Sequence, residues 1–153
     1  MLNIQAFYND EQLNQFMNRE QFIDFLFNHL GQFGDSKSAI NKCIDYAFGI
    51  NGGQGGFLLV AYDNDELIGA LIMNKTGMSE FIPENILVYV AVDANKRGKG
   101  YGKEICQYAF NMVDGDVKLH VEYDNPAKRL YERLGMKSKY AEMRLEKGKT
   151  KNG

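Results

Sequence analysis

With 153 residues, 44% hydrophobic and 25% charged, the chain has the make-up of one globular domain, read over residues 1–153, that buries about two thirds of its unfolded surface. A net charge of −2 gives no field to draw it to nucleic acid or an anionic membrane. No apolar run approaches the ~18 residues that a bilayer span needs, and Met1-Leu2-Asn3-Ile4-Gln5 is not a basic region followed by an apolar one, so a cytoplasmic location is expected. Cys43 and Cys106 are too few and too isolated for a disulfide framework or a metal site, and no metal is expected.

Leu2 to Tyr8 reads as a first strand. Asp10 is a candidate N-cap for one long helix that runs to Leu30 and stops at Gly31. Its apolar positions include Leu13, Phe16, Met17, Ile23 and Phe27, and Phe22 and Phe25 add more aromatic surface than one core stripe needs. Packing is the first account of that surplus; an acceptor pocket or a contact in a homodimer is the second. His29 lies where it meets the helix's negative end. A second helix spans Ser36 to Phe48, and the glycine-rich Asn51 to Gly56 reads as a flexible loop.

Phe57 to Tyr62 and Leu67 to Met73 are two strands of a hairpin turning at Asp63-Asn64-Asp65-Glu66. Thr76 to Glu84 is a loop holding Pro83. Ile86 to Val92 is apolar almost without interruption, as in a strand buried on both faces. After Asp93-Ala94-Asn95-Lys96 come Arg97, Gly98, Lys99, Gly100, Tyr101, Gly102 and Lys103, leading into a helix whose Tyr101, Ile105, Tyr108 and Met112 recur at helical spacing. Val117 to Glu122 alternates as a strand, so strand, helix and strand imply a parallel pair with a right-handed crossover. Asn125 caps a short helix that Gly135 ends, and Tyr140 to Leu145 is expected to close the sheet as its last strand.

A strand feeding a glycine-rich turn that opens a helix suits an anion, because the first helical amides lack internal acceptors and carry partial positive charge. Arg97 and Lys99 add charge at the mouth. A Walker loop is excluded, since Arg97 precedes Gly102 by five and Glu104 follows Lys103. A dinucleotide fingerprint is excluded by Lys103 in place of its third glycine and by the five residues between Val92 and Gly98.

The run Arg97-Gly98-Lys99-Gly100-Tyr101-Gly102 after Val-Ala-Val-Asp resembles the acyl-CoA-binding motif of the GCN5-related N-acetyltransferase (GNAT) superfamily. Asn125-Pro126-Ala127-Lys128-Arg129-Leu130-Tyr131-Glu132-Arg133-Leu134-Gly135-Met136 resembles that family's Asn-x-x-Ala-x-x-Leu-Tyr-x-x-x-Gly-Phe segment. The two cover roughly the second half of the chain. One residue, not two, separates Asn125 from Ala127, so either Asp124 takes the asparagine's place or the turn is tighter; Met136 stands for the usual phenylalanine.

The resemblance implies an α/β (α+β) acyl-CoA N-acyltransferase-like fold: a mixed, mostly antiparallel sheet with a splayed parallel pair, flanked by helices on both faces. It implies an N-acetyltransferase that moves acetyl from acetyl-CoA to an amine in a ternary complex. Backbone groups at Val90, Ala91 and Val92 would hold the pantetheine arm, residues 97 to 103 the pyrophosphate, and Asn125 the arm or the acceptor. Tyr131 is the implied general acid, a phenol of pKa ~10 facing a thiolate of ~8.5. His120, Glu122 and Glu84 are candidate bases, beside a water chain with no dedicated residue. A module that binds acyl-CoA without catalysis is the alternative, and a nucleotide enzyme a more distant one. The acceptor, a small-molecule or protein amine, is left open.

Overall fold

A computed structural model describes residues 2–148. Five strands, β1 (Asn3–Phe7), β2 (Gly56–Asp63), β3 (Glu66–Lys75), β4 (Asn85–Val92) and β5 (Val117–Leu119), form one sheet in sequential order. All neighbours are antiparallel except β4 and β5, which are parallel. Helices α1 (Asp10–Asn14), α2 (Arg19–Leu30) and α3 (Lys37–Ala47) join β1 to β2, α4 (Tyr101–Met112) joins β4 to β5, and α5 (Ala127–Arg133) follows.

Period-two alternation puts half of each central strand on either face. Leu58, Val60, Ala70, Ile72, Tyr89 and Ala91 pack with Phe22, Leu26, Ile40 and Ile44 beneath α2 and α3. Leu59, Ala61, Leu71, Met73 and Leu87 pack on the other face with Ile105, Cys106 and Ala109 of α4, and Tyr131 and Leu134 of α5 join their edge. Helices therefore cover both faces, as the resemblance implied.

Four expectations are corrected. The long helix is two helices, because Asn18 caps a new start: its Oδ1 accepts from the Gln21 amide at 2.8 Å while Gln21 Oε1 takes the Asn18 amide at 2.9 Å. The first helix is capped by Asn9 rather than Asp10. Asp10 instead grips Arg19, at 2.8 and 3.0 Å, and Arg19 also reaches Asp45 at 2.7 Å, so one guanidinium fastens α1, α2 and α3.

The strand expected over Val117 to Glu122 ends at Leu119, and Tyr140 to Leu145 is not a strand. Tyr140, Met143 and Leu145 are 85%, 90% and 84% exposed. Alternation gives a segment the pattern of a strand, but the hydrogen-bonded partner comes only from tertiary structure, and β5 leaves β4 after three pairs.

The parallel pair is pinned at its beginning. Buried Asn85 donates from Nδ2 to the carbonyls of Asp114 and Asp116, at 2.8 and 3.2 Å, and its amide bonds Asp116 O at 3.1 Å. Among the described residues nothing equivalent joins the other end.

Candidate active site

Strand β5 faces β4 only at Asn85, Ile86 and Leu87, which lie opposite Val117, Lys118 and Leu119. Beyond Leu87, β4 runs on to Val92 against β3 alone. Asp93 donates its amide to Ile68 O at 2.8 Å. Antiparallel alternation then turns the polar groups of Ala91 toward Ala70 of β3, and those of Val90 and Val92 outward into the gap. Of the three residues expected to bind through backbone, Val90 and Val92 thus face the gap, while Ala91 belongs to β3 and to the core under α2 and α3.

A turn of 3-10 helix, Ala94–Lys96, follows β4, with Asp93 Oδ1 accepting from the Asn95 amide at 2.8 Å. Lys96 pairs with Glu66 at 3.0 Å, and the Tyr101 hydroxyl bonds Asp63 Oδ2 at 3.1 Å, so the β2–β3 hairpin holds one side of the loop. On the other side Arg97 donates to the carbonyls of His29 and, at 3.3 Å, Val92. His29 Nδ1 takes the amide of Ala94 at 3.1 Å. Arg97 is therefore an anchor between the loop and the end of α2 rather than a free charge at the mouth.

Gly98 and Gly100 have φ of 80° and 83°, and an added Cβ at either would meet nothing within 4 Å. Left-handed backbone, not lack of room, selects glycine there. At Gly102 the reason is space, since a Cβ would sit 3.2 Å from Leu130 Cδ2 of α5. Gly100 caps α4 without a side-chain bond, and the amides of residues 98 to 103 have no acceptor among the described residues. They are free donors at the positive end of a twelve-residue helix. Lys99, Lys103, Arg129 and Arg133 have no carboxylate partner among the described residues, whereas Lys128 pairs with Glu132.

Tyr131 lies largely buried in the α4–α5 core, and burial, with a smaller contribution from nearby Cys106, raises its pKa above the ordinary phenol value. Its hydroxyl has no hydrogen-bond partner among the described residues. Burial also pushes the Cys106 thiol up to about 12, so that thiol stays protonated. Asn125 Oδ1 accepts from the Ala127 amide at 2.9 Å and its own amide reaches Glu122 O at 3.0 Å. The expected N-cap is corrected: Pro126, which makes no side-chain cap bond, holds the cap position of α5, and Asn125 closes the turn one residue before it. An open depression of about 510 Å³ lies beside it, lined in part by Tyr123, Asn125 and Arg129.

His120 is exposed just past β5, and partial burial, followed by the charge of Lys118, lowers its pKa; Arg144 adds to this and Glu142 opposes it. Glu122 is exposed, its carbonyl used by Asn125. Glu84 lies at the wrong end for a base. It precedes β4 by one residue while the gap opens after Leu87, and its Oε1 accepts the Asp116 amide at 2.8 Å, bracing the turn into β5. Sequence reasoning missed the anchoring by His29 and a hydrogen bond from the Tyr89 hydroxyl to Asp35, both joining residues more than 50 positions apart. Arg129 and Arg133 could have been found: four residues apart, they share a helix face from which Lys128–Glu132 is paired off.

A family model described as an acetyltransferase (GNAT) domain matches residues 54–137, more than half of the chain. The chain belongs to the GNAT family. None of the curated proteins compared with it matches. A GNAT-family acetyltransferase of Streptococcus pneumoniae TIGR4 superposes with a TM-score of 0.69 at 13% identity, covering 97% of this chain and 100% of its own. A possible acetyltransferase of Clostridium difficile 630 gives 0.66 at 21%, over 95% and 97%. The aminoglycoside N-acetyltransferase AAC(6')-Iy, solved in complex with CoA, gives 0.66 at 12%, over 97% and 95%. At these identities the likeness is one of fold. This GNAT chain shares with them its whole architecture, not one portion of it.

The brace at Glu84 is open to a pH test. The Asp116 amide is the largest of the backbone hydrogen bonds that hold the Glu84 carboxyl below its ordinary range, so its stabilisation is present above the unfolded value of ~4.3 and is lost as pH falls through the lower folded value. Thermal melts of the wild type and Glu84→Ala should differ at pH 6 to 8 and converge below about pH 4; an offset independent of pH would show that the carboxylate does not act as described.

Proposed function

We propose that this GNAT protein is an N-acetyltransferase that moves the acetyl group of acetyl-CoA to a primary amine by direct transfer in a ternary complex. The observation that carries the reading is the gap: β4 outruns β5 by five residues, from Val88 to Val92. The row of free amides at residues 98 to 103 opens beside its far end. An extended pantetheine arm can bond to Val90 and Val92 as an added strand does. Its diphosphate fits the amides of Gly98 to Lys103, with the unpaired cations of Lys99, Lys103, Arg129 and Arg133 around it.

A thioester aimed into the gap presents its carbonyl to an outward amide of β4, which stabilises the oxyanion formed on attack. The amine nitrogen bonds to the carbonyl carbon, the carbon–sulfur bond breaks and CoA leaves as a thiolate. Tyr131, kept protonated by burial, donates its hydroxyl to that sulfur. Because its pKa lies above that of the thiol, it stabilises the leaving sulfur as a hydrogen-bond donor, and the thiolate takes its proton from water as CoA departs.

His120 takes the amine proton on this reading. The downward shift of its pKa leaves it neutral, and so able to accept, at pH 7. Glu122 is the second candidate, and Asn125 orients the arm from the turn before α5. The acceptor is a small-molecule or protein amine. Exposure of His120 and the lack of an acid on β4 favour one other reading, a module that binds acyl-CoA without turning it over.

Gly100→Val should weaken CoA binding by about tenfold or more in titration calorimetry, because a β-branched residue costs roughly 1–2 kcal/mol at this left-handed position; unchanged affinity would remove the amides from the account. Tyr131→Phe should lower the rate of acetyl transfer about a hundredfold with CoA affinity kept. CoA bound but not released above hydrolysis with any amine would leave the binding module. His120→Gln should abolish the acidic limb of the rate profile, which the downward shift places below about pH 6.5; a limb that persists assigns the base to another group.

A further inference from the structure

Strand β4 carries an extra residue where β5 leaves it. Leu87 lies opposite Met73 of β3 and Tyr89 opposite Ile72, so Val88 is a bulge. Leu87 belongs to the core under α4, and the bulge turns Tyr89 to the other face, beneath α2 and α3. Tyr89 is 8% exposed, and its hydroxyl donates to Asp35 Oδ2 at 2.5 Å. Asp35 is itself exposed, in the loop before α3. A buried side chain from the middle of β4 therefore fixes an accessible carboxylate, one residue away from Val90, whose backbone turns to the gap.

That carboxylate is short of a partner. Asp35 has no ion pair among the described residues, and its Oδ1 accepts no hydrogen bond from them. Arg144 senses its charge but pairs with Glu142 instead. Deeper on the same face, buried Asn74 donates from Nδ2 to Cys43 Sγ at 3.3 Å and leaves its Oδ1 without a partner among the described residues. Cys43 is close enough to feel the charge of Asp35. This side of β4 thus offers acceptors that lack donors.

We propose that Asp35, held by Tyr89, binds a second cationic group of the acceptor, one that is not acetylated, so that the favoured amines are dications such as straight-chain diamines. The reacting nitrogen itself is a poor fit for Asp35. It must give up a proton to attack, whereas a carboxylate beside an ammonium favours the charged form. Asp35 would oppose the reaction there and assists it only at a cation further along the molecule. With Oδ2 occupied by Tyr89, Oδ1 is left to accept from an ammonium in a charge-assisted bond. Burial raises the pKa of Tyr89, so its hydroxyl stays a donor and the carboxylate stays oriented. The inference rests on the proposed transfer for the fate of the reacting end, but not for the binding of the other.

With saturating acetyl-CoA, kcat/KM for the best diamine from trimethylenediamine to hexamethylenediamine should exceed that for the monoamine of equal length about tenfold or more. Asp35→Asn should cut this ratio about tenfold, through KM rather than kcat, and Tyr89→Phe, which frees the carboxylate to turn, should cut it in the same direction. Asp35→Lys should reverse it, favouring the ω-amino acid of equal length over the diamine, a result that an unfolded variant cannot give. Calorimetric titration of the same diamines into the CoA-bound protein measures the preference without transfer. Binding that Asp35→Asn removes, with no CoA released from acetyl-CoA, would keep the cation site and remove the transferase. Acetyl transfer with equal kcat/KM for diamine and monoamine, no binding of any diamine, or a preference that Asp35→Asn leaves intact would overturn the site.

Discussion

Strand β4 is hydrogen-bonded to β3 from end to end but to β5 over three residues only, and most of the molecule serves to keep that inequality in place. At the beginning of the pair, Asn85 and Glu84 grip the turn that leads into β5. Toward the other end, α4 lies close against the sheet: a Cβ at Gly69 of β3 would come within 2.5 Å of Ile105. Leu130 of α5 meets Gly102 across the gap. Helices thus cover the parted strands without inserting a strand between them. Backbone groups there need water or an extended ligand, since a buried and unpaired amide costs free energy comparable to a lost hydrogen bond.

The loop that completes the site is held at several points by three different elements. Lys96–Glu66 and Tyr101–Asp63 tie it to the hairpin, and Arg97 and His29 tie it to the end of α2. A surface pair such as Lys96–Glu66, with Glu66 58% exposed, contributes about 0–1 kcal/mol. Their joint effect is geometric, because contacts from separate directions fix the residues on either side of Gly98 to Gly100. Preorganised donors of this kind need no rearrangement when an anion arrives.

The glycine loop, the apolar β4, the crossover through α4 and a turn at Asn125 were legible because each rests on local chemistry: left-handed backbone at glycine, helical periodicity, and a side-chain oxygen reaching an amide two residues on. The division of helix Asp10 to Leu30 was half legible, since Asn18 and Gln21 have capping-box spacing, but the phenylalanine stripe on either side masked it. The role of Arg97 was not legible. Its partner is a carbonyl 68 residues away, and nothing in a run of basic residues distinguishes an anchor from a free charge. The expected last strand failed for the opposite reason, its pattern being present and its partner missing.

Adjacent residues of β4 divide the site between the two faces of the sheet. Tyr89 points beneath α2 and α3, and its hydroxyl donates to Asp35 in the loop before α3; burial first, then this carboxylate, raises its pKa and keeps it a donor. Cys43, pushed up to about 12 by burial, accepts from Asn74 on the same side. Neither thiol is therefore a nucleophile at neutral pH, which favours direct transfer over an acyl-enzyme. Val90 turns its backbone to the gap, and the free amides of residues 98 to 103 lie at the start of α4. If CoA occupies that side, the amine reaches the thioester from the side of α2, α3 and Asp35. The helices before β2, which precede the matched residues 54–137, would on the proposed reading face the acceptor. The two halves of the reaction would be recognised by separate chemistries, the donor through backbone and positive charge, the acceptor through side chains displayed on helices that backbone motifs do not constrain.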